Sequence, residues 1–214
     1  GLAQHDKGDL KAAIGSYKDA LKIKPEYAEA YNNMGNAQKG EGDLDAAIGY
    51  YKQALKIKPD YANAYYNMGN ALRDKGELEA AIVYYKQAVN ITPNYFEAYS
   101  NMGVALKDSG LLEAAIDCYQ RVLKIKPNYA EAHFNMGITL LEKGDREATM
   151  ECYKRAIEIQ PNYGDAHINK AFLYLGLQDF EAGWPSFEWR WKVSKDVPQF
   201  LETSKPLWKP SMRQ

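Results

Sequence analysis

Five prolines, Pro25, Pro59, Pro93, Pro127 and Pro161, stand 34 residues apart. A tyrosine follows each of them two residues later: Tyr27, Tyr61, Tyr95, Tyr129 and Tyr163. Gly8, Gly42, Gly76, Gly110 and Gly144 keep the same step, as do Gly35, Gly69, Gly103 and Gly137. Several registers sharing one period exclude an irregular globule. They impose a solenoid of like units, each burying its apolar face on the next.

With the proline set at position 32, full units span 28–61, 62–95, 96–129 and 130–163. A partial unit covers 1–27, a divergent unit or cap covers 164–191, and a tail covers 192–214. Each unit divides into two helical stretches at a turn such as Gly42-Asp43, Gly76-Glu77 or Gly144-Asp145. The first stretch, helix A, is expected at positions 2–14. Its apolar residues, for example Ala64, Tyr65, Met68, Ala71 and Leu72, follow helical spacing with one wet face. The second, helix B, is expected at positions 17–30, with Leu78, Ala81, Ile82, Tyr85, Ala88, Val89 and Ile91 as its apolar set. The proline ends it, because proline cannot continue the hydrogen-bond ladder and disfavours helix at the residue before it.

Small residues mark close approach between helices. Position 8 is glycine, position 20 is alanine in Ala13, Ala47, Ala81 and Ala115, and position 27 is alanine in Ala20, Ala54, Ala88 and Ala156. Position 24 is tyrosine in the partial and the four full units (Tyr17, Tyr51, Tyr85, Tyr119, Tyr153), placed to fill space between units. These tyrosines and those at position 34 account for most of the 17 in the chain.

Glycine at 8, alanine at 20, tyrosine at 24, alanine at 27 and proline at 32 together resemble the tetratricopeptide repeat (TPR) family, over residues 1 to 191. Position 4, often tryptophan in that family, is here Tyr31, Tyr65, Tyr99, His133 and His167. The resemblance implies an all-α, right-handed superhelical solenoid of helix-turn-helix repeats. It also implies that helix A lines a concave groove and helix B faces outward. Gly1 enters in the middle of a helix A without a polar cap, so the N-terminal end is expected to be open and able to self-associate.

Positions 2, 6, 9 and 13 share the face of helix A opposite its apolar stripe. Position 6 is asparagine in every unit that has it: Asn33, Asn67, Asn101, Asn135 and Asn169. Position 9 adds Asn36 and Asn70. Asparagine is a mediocre helix former, so propensity does not account for this ladder. A carboxamide offers one acceptor and a two-proton donor, matching both polar groups of a peptide bond. Neighbouring helices pack about 8–10 Å apart, and an extended chain rises about 3.3 Å per residue. One asparagine per unit therefore meets every third residue of a peptide threaded along the groove. The alternative is that the asparagines bond neighbouring helices and rigidify the array; the two roles can coexist. The ladder resembles that of the TPR regions of O-linked N-acetylglucosamine transferases, where it holds substrate polypeptide by its backbone.

The inner face is graded. Early units are polar, with Glu29, Asn32, Lys39, Asn63, Arg73 and Asp74. Later units carry Val104, Phe134, Ile138, Leu141, Ile168, Phe172 and Leu175, which are expected to form an apolar stretch of groove. Such a patch marks a covered or binding surface. Its cover is either a partner segment or this chain's own tail, which carries Val197, Phe200, Leu201, Leu207 and Trp208. A clamp for a C-terminal carboxylate, another TPR mode, needs unpaired cations. Here Lys39, Arg73 and Lys107 alternate with Asp74 and Asp108, which argues against it.

Three of the four tryptophans fall between Asp179 and Trp191. That stretch reads as a cap whose aromatics seal the last unit. Together with Pro206-Leu207-Trp208 it also resembles the junction at which bacterial TPR arrays precede a glycosyltransferase domain. The resemblance implies, as the alternative to a free-standing scaffold, a substrate-recruiting region of a larger glycosyltransferase. Any enzymatic activity would then reside in sequence beyond residue 214.

Chemistry of other kinds has no carrier. A net charge of -1 argues against a nucleic-acid surface. No run of 18 apolar residues spans a membrane. Two cysteines cannot build a disulfide framework, so a reducing, cytoplasmic compartment is expected. Cys118 and Cys152 lie in successive units, too far apart to bond and without histidine neighbours for zinc. His133 and His167 occupy a packing position, and the Gly35…Gly40-Glu41-Gly42 cluster lacks the lysine-hydroxyl end of a phosphate loop. No catalytic residue, metal or cofactor is expected. The expected partner is a protein or peptide.

Overall fold

The computed structural model describes residues 10–190. The open N-terminal end and the 192–214 tail, as expected cover of the groove, fall outside these residues.

Eleven α-helices follow one another among the described residues. They are α1 (Leu10–Ile23), α2 (Ala28–Gly40), α3 (Leu44–Ile57), α4 (Ala62–Asp74), α5 (Leu78–Ile91), α6 (Phe96–Asp108), α7 (Leu112–Ile125), α8 (Ala130–Lys143), α9 (Arg146–Ile159), α10 (Gly164–Gly176) and α11 (Phe180–Phe187). The even-numbered helices are the A helices and the odd-numbered ones the B helices. Each A helix packs most extensively on the B helix that follows it, and each B helix then packs on the next A helix.

Local chemistry sets the helix ends. The reversal between A and B needs a left-handed residue, and Gly42 (φ 87°) and Gly144 (φ 93°) supply it without a Cβ clash. The aspartates at Asp43, Asp145 and Asp179 then accept from the backbone N–H of Ala46, Ala148 and Ala182 at 3.0, 3.0 and 3.1 Å, closing the first turn of the B helix. Glu77 and Leu111 stand at the same place without such a bond, because a longer or apolar side chain cannot fold back onto the turn.

The core is organised around the position 24 tyrosines. Tyr51, Tyr85, Tyr119 and Tyr153 are each 0% exposed. Each ring lies across the position 8 glycine of its own unit, rather than only between units as the sequence suggested. A Cβ added at Gly69 would sit 2.6 Å from Cε1 of Tyr85, and one at Gly103 or Gly137 would sit 2.7 Å from its tyrosine. Glycine is therefore required for ring clearance, with no unusual backbone torsion at these sites.

Along the series α2, α4, α6, α8 each A helix touches the next, and the B helices make no comparably extensive contact with their counterparts. The stack is thus tighter on the A side, which makes that side the concave one.

Candidate peptide groove

The asparagines of the concave face are partly engaged with one another. Asn67 Nδ2 donates to Asn32 Oδ1 at 3.0 Å, joining α4 to α2. Asn101 Nδ2 donates to Asn70 Oδ1 at 2.8 Å and to the Tyr66 hydroxyl at 3.1 Å, joining α6 to α4. The position 9 residues take a further role: Asn36 Oδ1 accepts from the Tyr51 hydroxyl at 2.8 Å, and Asn70 Oδ1 from Tyr85 at 2.7 Å. The carboxamides thus satisfy buried phenols, which would otherwise lose their hydration without replacement. Both Nδ2 protons of Asn101 are used inside the array. The oxygens of Asn67 and Asn101 and the Nδ2 groups of Asn36 and Asn70 remain. Asn33 contributes only a long 3.4 Å contact with Asn32. Asn135 and Asn169 are half-buried, and no side-chain hydrogen bond holds either within the described residues.

Charged residues at the groove edge pair with each other. Lys39 meets Asp74 at 2.9 Å, Arg73 meets Asp74 at 3.3 Å, and Lys107 lies 2.9 Å from Asp108 and 3.8 Å from Glu142. Burial works against the charge on Asp74, but Lys39 and Arg73 prevail and hold its carboxyl below the usual aspartate range. Cations engaged in this way do not form a free carboxylate clamp.

The expected apolar stretch divides in two. Phe134 belongs to the core instead of the groove surface: it is 9% exposed and packs on Tyr153 and Tyr163 at ring separations of 5.8 and 5.0 Å. Position 5 lies at the edge of the apolar stripe, and a ring there turns toward helix B of its own unit. Val104, Ile138, Ile168 and Leu175 are half-buried. Leu141 and Phe172 are exposed at 40% and 55%. Ile138, Leu141 and Phe172 wall a cavity of about 500 Å³ with Asn169 among its lining residues. Phe172 also meets Phe187 of α11 edge-on at 5.2 Å, and His167 stacks on Trp189 at 3.9 Å. Phe187 and Trp189 therefore pack against α10.

Sequence reasoning missed the bond between positions 9 and 24. The signal was available: position 24 stays tyrosine while position 9 changes from Asn36 and Asn70 to Val104 and Ile138. Where the carboxamide is gone, the Tyr119 and Tyr153 hydroxyls are buried without a hydrogen-bond partner. Burial raises the tyrosine at 153 to about 12, so it stays protonated near neutrality.

Cys118 and Cys152 are buried free thiols, raised by burial to about 12 and about 11, which makes them unreactive. His133 and His167 place a ring nitrogen 3.3 and 2.8 Å from the carbonyls of Pro127 and Pro161, tying each A helix to the proline before it. Burial lowers the affinity of His133 for its second proton, although the Pro127 carbonyl opposes that. Among the described residues no three His, Cys, Asp or Glu side chains gather as metal ligands, and no helix is long and apolar enough to cross a membrane.

The chain resembles several solved structures along most of its length. MamA is 28% identical, with a TM-score of 0.70 over 76% of this chain and 95% of that one. YrrB, described as a TPR protein with an unusual peptide-binding site, is 22% identical, with a TM-score of 0.69 over 84% of this chain and 93% of that one. A tetratricopeptide repeat protein from Parabacteroides merdae is 21% identical, with a TM-score of 0.77 over 91% of this chain and 77% of that one. No curated protein sequence matches the chain. The family model described as TPR repeat matches residues 1–42, 39–72, 69–110 and 105–144, and models described as tetratricopeptide repeat match 130–163 and 152–184. By these matches and by its stacked helix pairs, the chain belongs to the tetratricopeptide repeat family and folds as its right-handed superhelical solenoid.

Proposed function

We propose that this chain is a protein-interaction scaffold whose concave face captures an extended polypeptide. The observation that carries the reading is the unequal engagement of the asparagines. A ladder serving rigidity alone would have every carboxamide bridging helices, as Asn101 does with both protons. Asn135 and Asn169 instead keep a full donor and acceptor set on the same face, and Asn169 lines the cavity walled by Ile138, Leu141 and Phe172. Backbone recognition by carboxamides is blind to side chains, so affinity along the ladder is general and selectivity comes from the apolar end.

The test uses peptides of 12 residues selected from a displayed random library on the full chain. Their affinities are then measured by fluorescence anisotropy for wild type and for Asn135→Ala with Asn169→Ala. These side chains hold nothing else together, so helicity by circular dichroism should not change while binding weakens by about tenfold, two charge-neutral hydrogen bonds' worth. Failure to select any peptide, or affinities untouched by the double substitution, would refute the proposal.

A further inference from the structure

The inner face changes character at its last two A helices. Each earlier A helix touches the next, whereas α10 does not meet α8 as extensively, and the cavity of about 500 Å³ lies between α8, α9 and α10. Two of its walls, Leu141 and Phe172, are 40% and 55% exposed, so large apolar side chains face water there. The charge around it is unbalanced. Glu142 and Arg146 both line the cavity. Glu131 and Asp165 are exposed and stand one helical turn before Asn135 and Asn169, on the same face. In the first full unit the equivalent acid, Glu29, is met at 3.6 Å by Lys58 of position 31. Position 31 of the fourth full unit is Gln160. Glu131 accepts from the neutral Tyr129 hydroxyl instead, and no cation pairs with it or with Asp165 among the described residues. Lys107 lies 3.8 Å from Glu142 but sits closer, at 2.9 Å, to Asp108. Lys170 stands at the core-facing position of Met136, beside Lys154, and not on this face. Carboxylates at 131, 142 and 165 therefore outnumber the guanidinium of Arg146 around an uncovered apolar surface.

We propose that the chain's own residues 192–214 lie along this stretch of the groove, with the Trp208 side chain in the cavity. The segment carries five Lys and Arg against two Asp and Glu, opposite in sign to the face it covers. Trp208 is the anchor on charge grounds. Lys205 and Lys209 bracket it, whereas Phe200-Leu201 is followed by Glu202, which the carboxylates repel. The segment also starts in the right place. Phe187 and Trp189 pack on Phe172 and His167 of α10, so the chain reaches Arg190 beside a helix that walls the cavity. The 18 residues from Arg190 to Trp208 span up to about 59 Å when extended, against about 20 Å for the 13 residues of α10. Such a tether holds the segment at about millimolar effective concentration, which a free partner must outcompete. Docking does not depend on capture of a partner. Where capture also operates, the segment is a built-in competitor for the apolar end of the groove, and an incoming polypeptide must displace it.

The test is cross-linking within the full chain, which needs no peptide. Cys118 and Cys152 are buried and unreactive, so a bismaleimide joins only introduced thiols. Leu207→Cys is paired either with Leu141→Cys, at an exposed cavity wall, or with Lys154→Cys, exposed on α9 of the same unit. At low protein concentration the Leu141 pair should close about tenfold faster than the Lys154 pair, because docking raises the local concentration at one face only. Trp208→Ala should abolish that difference. Lys205→Glu with Lys209→Glu should slow the Leu141 pair about fivefold, two exposed ion pairs' worth, and adding Glu142→Lys with Asp165→Lys should restore the rate. Circular dichroism checks that each variant keeps its helicity. Equal rates for the two pairs, or a Leu141 pair indifferent to Trp208→Ala and to charge reversal, overturns the proposal. Products that form between molecules and rise with concentration would seat a second copy's segment in the cavity and overturn it as well. If the Leu141 pair closes as expected while no peptide is selected from the library, the docking stands and the capture reading falls.

Discussion

The same substitution, glycine to alanine, should have opposite signs at two helical positions of this chain. Gly69 lies in α4 with the ring of Tyr85 against it, and an added Cβ would sit 2.6 Å from Cε1 and 2.7 Å from Cδ1. That ring cannot swing aside, because it is 0% exposed and its hydroxyl is bonded to Asn70 at 2.7 Å. The helices must separate or the ring must leave its rotamer, an overpacking cost of about 3 kcal/mol. Alanine returns about 1 kcal/mol of helix propensity, so Gly69→Ala should destabilise by about 2 kcal/mol net. Gly49, inside α3, has nothing within 4 Å of its would-be Cβ. Only the propensity term acts there, and Gly49→Ala should stabilise by about 0.5–1 kcal/mol. Urea unfolding followed by circular dichroism reads both as midpoint shifts in opposite directions. Combining Gly69→Ala with Tyr85→Leu should cost less than the sum of the two, since the smaller side chain removes the clash. A neutral Gly69→Ala, or strict additivity with Tyr85→Leu, would refute the claim that the glycine exists to seat the ring.

Removing the hydroxyl from two equivalent tyrosines should also separate them: Tyr85→Phe loses the bond to Asn70 and costs about 1 kcal/mol, whereas Tyr153→Phe removes an unpaired buried group and gains a similar amount, both read by thermal melts. Asp145→Ala breaks the bond to the Ala148 amide and should cost about 1 kcal/mol, while Glu77→Ala, which removes no cap bond, should change the melt by less than half of that. Asp74 is held below its ordinary pKa in the folded chain, so the unfolded chain takes up its proton first as pH falls. Its contribution is complete above about pH 4 and is lost below it; it is worth under about 1 kcal/mol because the pair is one-third exposed. Asp74→Asn should accordingly flatten the acid limb of a stability-against-pH curve, and an unchanged limb would show that the pair contributes nothing.

The repeat made much of this fold legible. The B helices of the full units begin and end where the period put them, as at Leu44–Ile57, because a capping turn and a proline fix both ends. The A helices of the middle units start one residue earlier than expected, as at Ala62–Asp74, since nothing before the tyrosine at position 34 marks their start. The face carrying the asparagines was readable from helical angle alone. Their partners were not, because a carboxamide on an inner face can bond a peptide, a neighbouring helix or a buried phenol, and periodicity does not choose between them. Phe134 was misplaced for a related reason: at the margin of a stripe, a bulky ring rotates toward the core whenever space exists there. The cavity depends on which side chains stop short of each other, and spacing along the chain carries no such information.

The carboxamide bridges described above join α2 to α4 and α4 to α6, and Asn135 and Asn169 carry none. The array is consequently a spring with uneven stiffness: latched along one stretch of its inner curve and unlatched along the next. Bending is cheapest at the unlatched stretch, so changes of pitch concentrate there, and a guest that wedges the coil open meets the least elastic resistance beside Phe172.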